Sequence, residues 1–374
     1  MVSRLARQIV RRYATPGGLV LDPFCGSGTI LLAAAELECP VFGIDLNPYA
    51  VLLTRVKLES FDGHGASQLL QRLRLESRTV GPLLPIELSN KDYWFTGATL
   101  RKFERLRYIA ARDGYYSNRN GRAVLLALTL AVRRCSRADQ RSPKPFISHI
   151  ARRERSGRHF DPVVEAGHIL NKIAAVYAGA SRLPSRVRIG DVTHGINYRV
   201  KTASVITSPP YINAQDYYRN VKLELSVLEN VIPFETHHIK DRFIGTDRGD
   251  LLRTVTEQDL LRNEELLPHI KRIEANDPRS AQIVHRYLTD MWNSFSAMQG
   301  VLQRSGRLVI VCGDNVVAGE PIPTWKILNE MITALGFKLF DRFGDRINRR
   351  MLAPKRNGHK ALIKEEVVSV FTRI

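Results

Sequence analysis

The sequence predicts a doubly wound, mostly parallel α/β sheet of seven strands, interrupted by a mainly helical insertion. Three observations predict it. Near the start, a short apolar run leads into a glycine turn, a helix and a second apolar run that stops at an acid. From about residue 51 to 184 the apolar residues recur at helical spacing instead. Short β-branched runs then return, one of them entering Ser208-Pro209-Pro210-Tyr211. Strands and helices in alternation, with acids at strand ends, are the pattern of a parallel sheet covered by helices on both faces.

In chain order, residues 3–13 place Leu5, Ile9 and Val10 on one side and Arg4, Arg7, Arg11 and Arg12 largely on the other. That is an amphipathic helix, ended by Pro16-Gly17-Gly18. Leu19-Val20-Leu21 is the first strand, Gly26-Ser27-Gly28 the turn, and Thr29 to Leu37 a helix rich in Ala and Leu. Val41-Phe42-Gly43-Ile44, stopping at Asp45, is the second strand. Helical spacing follows at 49–60, 99–112, 121–136 and 162–178. Within this stretch, residues 133–159 carry nine Lys or Arg against two acids, around a Ser-Pro-Lys-Pro loop at 142–145. Such a run suits a solvated helix face and a phosphate-contacting surface equally.

Val187 to Asp191 is a third strand ending in an acid, and Ala203 to Thr207 a fourth. Residues 217–230 and 257–275 have helical spacing, with a loop from Phe243 to Asp250 between them. From Arg279 to Arg304 a long helix presents Ile283, Tyr287, Met291, Phe295, Met298 and Leu302, with Gly306 expected to close it. Leu308 to Val311 is a buried fifth strand. A helix at 324–335, a sixth strand at 337–343 and a seventh at 366–372, reached through a basic loop at 346–360, complete the pattern. Residues 1–50 and 185–374 are therefore expected to form one domain. Residues 51–184 form the helical insertion, and 219–275 a second, smaller one.

With 374 residues and 44% hydrophobic content the chain can bury a substantial core. Its formal charge of +19 and pI near 10.1 favour a polyanionic partner, most simply nucleic acid. Cys25, Cys39, Cys135 and Cys312 lie far apart with no CxxC spacing, so neither a metal site nor a disulfide framework is expected. No apolar run reaches the roughly 18 residues that span a bilayer, and MVSRLARQIVRRYATPGG lacks the apolar centre of a signal peptide. The expected location is cytoplasmic, with no membrane partner.

Two motifs carry chemistry. In VLDPFCGSGT, Gly26 and Gly28 allow a tight turn and close approach of the backbone to a ligand. There is no third glycine at the GxGxxG position and no Gly-Lys-Ser/Thr, which weakens a nicotinamide site and excludes a P-loop. Asp22 and Asp45 end adjacent strands. Asp45, about twenty residues after the turn, can accept both hydroxyls of a ribose or cap the following helix. Asp191 can accept from an adenine amino group, or serve as a turn residue. In Ser208-Pro209-Pro210-Tyr211 two prolines remove backbone donors and hold the segment extended, leaving acceptors for an amino group beside a flat ring on which a base can stack.

Together, VLDPFCGSGT and TSPPY resemble the amino-group DNA methyltransferases, which transfer a methyl group from S-adenosylmethionine to an exocyclic nitrogen of cytosine or adenine. The resemblance covers residues 1–50 and about 185–374. It implies a Rossmann-like class I methyltransferase sheet and S-adenosylmethionine as cofactor. Cofactor contacts are implied from Asp22, Pro23, Phe24, Cys25, Gly26, Gly28 and Asp45, with Asp191 as a further candidate. The catalytic, target-base contacts are implied from Ser208, Pro209, Pro210 and Tyr211. Double-stranded DNA is the implied partner, and a cognate restriction endonuclease is left open.

Serine at the first tetrapeptide position is more typical of members acting on cytosine N4, whereas adenine N6 enzymes more often have Asp, so N4-methylcytosine is the favoured product. The family usually has a Pro- and Phe-containing segment ahead of the first helix, where this sequence has only MVSRLARQIVRRYATPGG. Its motif order is the unpermuted one, cofactor motif first. An RNA base methyltransferase and a catalytically silent DNA-binding subunit are the competing expectations.

Overall fold

A computed structural model describes residues 1–142, 144–155, 160–179, 184–197, 201–212, 217–234, 239–246, 266–346 and 365–374. The expected loop at 346–360 falls almost entirely outside these residues, as do 247–250 and the first part of the helix at 257–275. The chain divides into two compact units. One comprises Met1–Leu46, Leu183–Asp216 and Lys240–Ile374, and the other Asn47–Arg182 and Tyr217–Ile239.

The first unit is built on the sheet. Its strands are β1 (Val20–Asp22), β2 (Val41–Asp45), β3 (Ser185–Ile189), β4 (Thr202–Thr207), β5 (Leu302–Cys312), β8 (Phe337–Arg346) and β9 (Glu365–Arg373), in the spatial order β3-β2-β1-β4-β5-β9-β8. The five strands from β3 to β5 are parallel, and β9 runs antiparallel to both of its neighbours. This is the doubly wound, mostly parallel seven-stranded sheet expected from the sequence. Strand order reverses between β1 and β4, so the crevice outside their carboxyl ends is where such a sheet binds ligands. Every residue of β1 and β4 is buried, as strands covered on both faces require.

Helix Ser3–Tyr13 buries Leu5, Ala6, Ile9, Val10 and Tyr13 and leaves its arginines exposed. The helix Pro278–Val301 supplies the largest part of the core. Tyr287, Met291, Phe295 and Met298 are all fully buried along one face, each contributing roughly 1.5–3 kcal/mol on removal from water. This helix does not end at Gly306. It stops at Val301 and passes directly into β5 at Leu302, because Leu302 adopts an extended backbone and pairs with Thr202 of β4. Gly306 lies inside β5, where a Cβ would come within 2.7 Å of Leu302 Cδ1. A short hairpin of β6 (Asn315–Val317) and β7 (Glu320–Ile322) follows β5.

The second unit is all helical among the described residues. Its central helix, Arg119–Cys135, is buried along most of its length and packs against Pro162–Tyr177, Gly63–Glu76, Pro48–Leu58 and Tyr217–Leu228. Residues 217–239 thus belong to the helical unit, whereas the chain from Lys240 onward belongs to the sheet unit. Arg107 fastens the later segment to the earlier one. Buried to 2% exposure, it donates to the carbonyls of Leu84, Pro85, Val227 and Glu229. Burial pushes its guanidinium down to about 10. Among the described residues no helix is long and apolar enough to cross a membrane.

Candidate active site

The glycine turn follows β1. Gly26 and Gly28 both have positive φ, 49° and 75°, a region that favours glycine because a Cβ there crowds the backbone. Gly28 caps the helix Thr29–Ala35, and its N–H donates to the Cys25 carbonyl at 2.7 Å. The Gly26 N–H donates to Asp45 Oδ2 at 2.7 Å, so the acid ending β2 holds the turn that follows β1. A Cβ on Gly26 would meet nothing nearer than the Phe24 carbonyl at 4.0 Å, which leaves open space over the turn. Pro23 is buried and Phe24 half-buried, packed on the core. Cys25 is buried with its Sγ towards Gly43, so what it offers the turn is backbone.

Asp22, the last residue of β1, points inward. It is 2% exposed, and its Oδ1 accepts from Thr207 Oγ1 at 2.6 Å and from the Phe24 N–H at 3.2 Å. Burial pushes its carboxyl up to about 7, against the pull of these two hydrogen bonds. Thr207 is itself fully buried and immediately precedes Ser208. One hydrogen bond therefore links the end of β1 to the end of β4, and with it the glycine turn to the Pro-Pro segment.

That segment is anchored at successive positions. Ser208 Oγ donates to the Val311 carbonyl of β5 at 3.1 Å. The Pro210 carbonyl accepts from the Tyr287 hydroxyl at 3.0 Å, the Tyr211 hydroxyl donates to Glu366 Oε1 at 2.8 Å, and the Ile212 carbonyl accepts from Asn315 Nδ2 at 3.4 Å. Tyr211 is half-buried, with one part of its ring on the core. Asp191 follows β3, next to β2. Its Oδ1 accepts from the Thr193 N–H and hydroxyl, and its Oδ2 from Arg242 at 3.2 Å. Burial raises its carboxyl, but Thr193 and the nearby His194 and Arg242 outweigh this and hold it below its ordinary value.

Sequence reasoning missed the anchors. Thr207 reads as one more β-branched strand residue, Tyr287 as a core aromatic, and Glu366 as an acid in the last strand. Only the fold brings them to the Pro-Pro segment, and no spacing in the sequence signals it.

A family model described as DNA methylase, of the N6/N4 type, matches residues 3–55, the stretch from the first helix through the glycine turn to just beyond Asp45. Type II methyltransferase M.BsoBI of Geobacillus stearothermophilus is 23% identical, the match spanning 90% of this chain and 76% of that protein. These matches support the amino-group DNA methyltransferase family. Type II methyltransferase M.MjaII of Methanocaldococcus jannaschii is 34% identical over 61 residues, a match that covers 16% of this chain and only 12% of that protein. Among solved structures, a TehB-like S-adenosylmethionine-dependent methyltransferase from Corynebacterium glutamicum aligns with a TM-score of 0.33 at 10% identity, covering 99% of this chain and 87% of that one. TrmN from Thermus thermophilus aligns at 0.36 and 11%, covering 100% and 49%. The fold assignment rests on the strand order itself.

S-adenosylmethionine is the cofactor that these matches support for this protein. Its residues fit that molecule: a left-handed glycine turn with open space above it, and a carboxylate at the end of the neighbouring strand.

Proposed function

We propose that the protein methylates the exocyclic amino group of a base turned out of duplex DNA, cytosine N4 in preference to adenine N6. The observation that carries the reading is the Asp22–Thr207 hydrogen bond, which couples the glycine turn and the Pro-Pro segment at the ends of adjacent parallel strands. The preference for cytosine rests on the serine at position 208.

In this reading the backbone of 23–28 lines the methionine end of the cofactor and the Asp45 carboxylate accepts its ribose hydroxyls. Asp191, steadied by Thr193, accepts from its adenine amino group. S-adenosylmethionine, when bound, supplies the electrophilic methyl group. Ser208 Oγ, whose proton is committed to Val311, keeps lone pairs to accept one amino hydrogen of the target base, and the Pro209 carbonyl accepts the other. Two acceptors draw the nitrogen lone pair out of conjugation with the ring. Tyr211 stacks on the flipped base, a contact worth roughly 1–3 kcal/mol. Orientation and fixed dipoles then supply the catalysis, with no covalent enzyme intermediate. The helical unit, which carries the basic run at 133–159, holds the duplex.

The test is incubation of the purified chain with duplex DNA and methyl-labelled S-adenosylmethionine, followed by mass spectrometry of the digested nucleosides. Labelled N4-methylcytosine is expected, and label in N6-methyladenine instead would reassign the base. Cofactor binding without label in DNA would refute the reading. Ser208→Ala and Tyr211→Ala should each abolish transfer while leaving cofactor affinity near that of the unmodified protein.

A further inference from the structure

The Tyr211 ring is held at both root and tip. At the root, the carbonyls on either side of it are taken by the Tyr287 hydroxyl, on Pro210, and by Asn315 Nδ2, on Ile212. At the tip, its hydroxyl donates to Glu366 Oε1 at 2.8 Å. Glu366 comes from β9, which pairs Val367 with Cys312 of β5. Because β9 runs antiparallel to β5, its first residues lie at the same sheet edge as the carboxyl ends of β4 and β5. A ring fixed only at its Cα can still turn about its two side-chain torsions. A bond at the far end of the ring fixes the direction of the side chain and, because a phenolic O–H prefers to lie in the plane of its ring, biases that plane as well. An acceptor that is ionised makes the bond shorter and stronger than a neutral one would. Tyr211 is not fully buried, so this is not the bond that a fully buried tyrosine must find merely to satisfy its hydroxyl.

We propose that Glu366 is a positioning residue for the target base: by accepting the Tyr211 hydroxyl it sets the plane of the ring on which the flipped base stacks, before the base arrives. This rests on the base-stacking role of Tyr211 proposed above. The orientation cost of the platform is met during folding instead of during each turnover, so its loss falls on the rate of transfer and not on binding of the cofactor.

The experiment measures kcat and KM for methyl transfer to genomic duplex DNA and calorimetric affinity for S-adenosylmethionine, in the unmodified protein, Tyr211→Phe, Glu366→Ala, Glu366→Gln and the double variant Tyr211→Phe/Glu366→Ala. Tyr211→Phe and Glu366→Ala should each lower kcat about tenfold with KM and cofactor affinity within about twofold of the unmodified protein. The double variant should fall no further than either single one, since both remove one bond. Glu366→Gln, which keeps an acceptor, should recover most of the rate. Unmodified kcat in Tyr211→Phe or in Glu366→Ala, or losses that multiply in the double variant, would overturn the proposal. If Glu366→Ala does not fold, Tyr211→Phe and Glu366→Gln decide alone. Absence of transfer in the unmodified protein would refute the proposed function itself, an outcome separate from these.

Discussion

Replacing Asp22 by asparagine should remove a large part of the pH dependence of stability of the sheet unit. Burial pushes the Asp22 carboxyl from its ordinary value of 3.8 up to about 7, although the hydrogen bonds from Thr207 and Phe24 favour the ionised form. An acid whose folded-state pKa lies above its unfolded one binds its proton more tightly when folded. It therefore adds stability at low pH, and that stability is lost as the pH rises through about 7. A difference of about three units is worth roughly 4 kcal/mol in full, and roughly 2.5 kcal/mol of it disappears between about pH 5 and pH 8. Asparagine has nearly the same shape and still accepts from Thr207 and Phe24, but does not titrate. The assay is urea denaturation of both proteins at the two pH values. Titrating groups other than Asp45, whose charge acts on Asp22, contribute alike to both, so the difference between their pH dependences reports on Asp22. A difference on the order of 2 kcal/mol is expected, and equal pH dependence in the two proteins would refute the reasoning.

Gly26→Ala should cost about 1–2 kcal/mol of stability, since alanine must adopt a φ of 49° with no steric obstacle nearer than 4.0 Å. Calorimetry should show a larger effect on S-adenosylmethionine affinity, because the new methyl group occupies the open space over the turn. Arg107→Met should leave the carbonyls of Leu84, Pro85, Val227 and Glu229 without this donor, at about 1–3 kcal/mol for each that is shielded from water and finds no other. A lower urea midpoint and faster proteolysis near residues 229–239 are the measurements that check it.

Much of the architecture was legible because it is written in local patterns. The seven strands and the glycine turn need only neighbouring residues to be seen. The helix Gly63–Glu76 was not legible. It opens Gly-His-Gly, two poor helix formers in the first turn, and it starts because Asp62 accepts from the N–H groups of His64 and Gly65 while Ala66, Leu70 and Leu73 find a core built by distant helices. The junction at Leu302 was missed for a related reason. Apolar residues at helical spacing run on past Val301, and only pairing with β4 tells Leu302 that it belongs to a strand. At the site, motif residues such as Gly26 and Ser208 stand out by type. Thr207, Tyr287, Asn315 and Glu366 act through long-range contacts between ordinary residues, which no window of sequence contains.

The placement of β9 bears on how this protein is made. Of the seven strands, Glu365–Arg373 is the last to be synthesised, yet it lies between β5 and β8, not at the rim. Until it inserts, β5 and β8 have no ladder to join them, and the hydroxyl of Tyr211 has no carboxylate to meet. A ribosome that has delivered both sequence motifs has still not delivered the carboxylate that meets the Tyr211 hydroxyl. The insertion that completes the sheet also brings the Glu366 carboxylate to the Tyr211 hydroxyl.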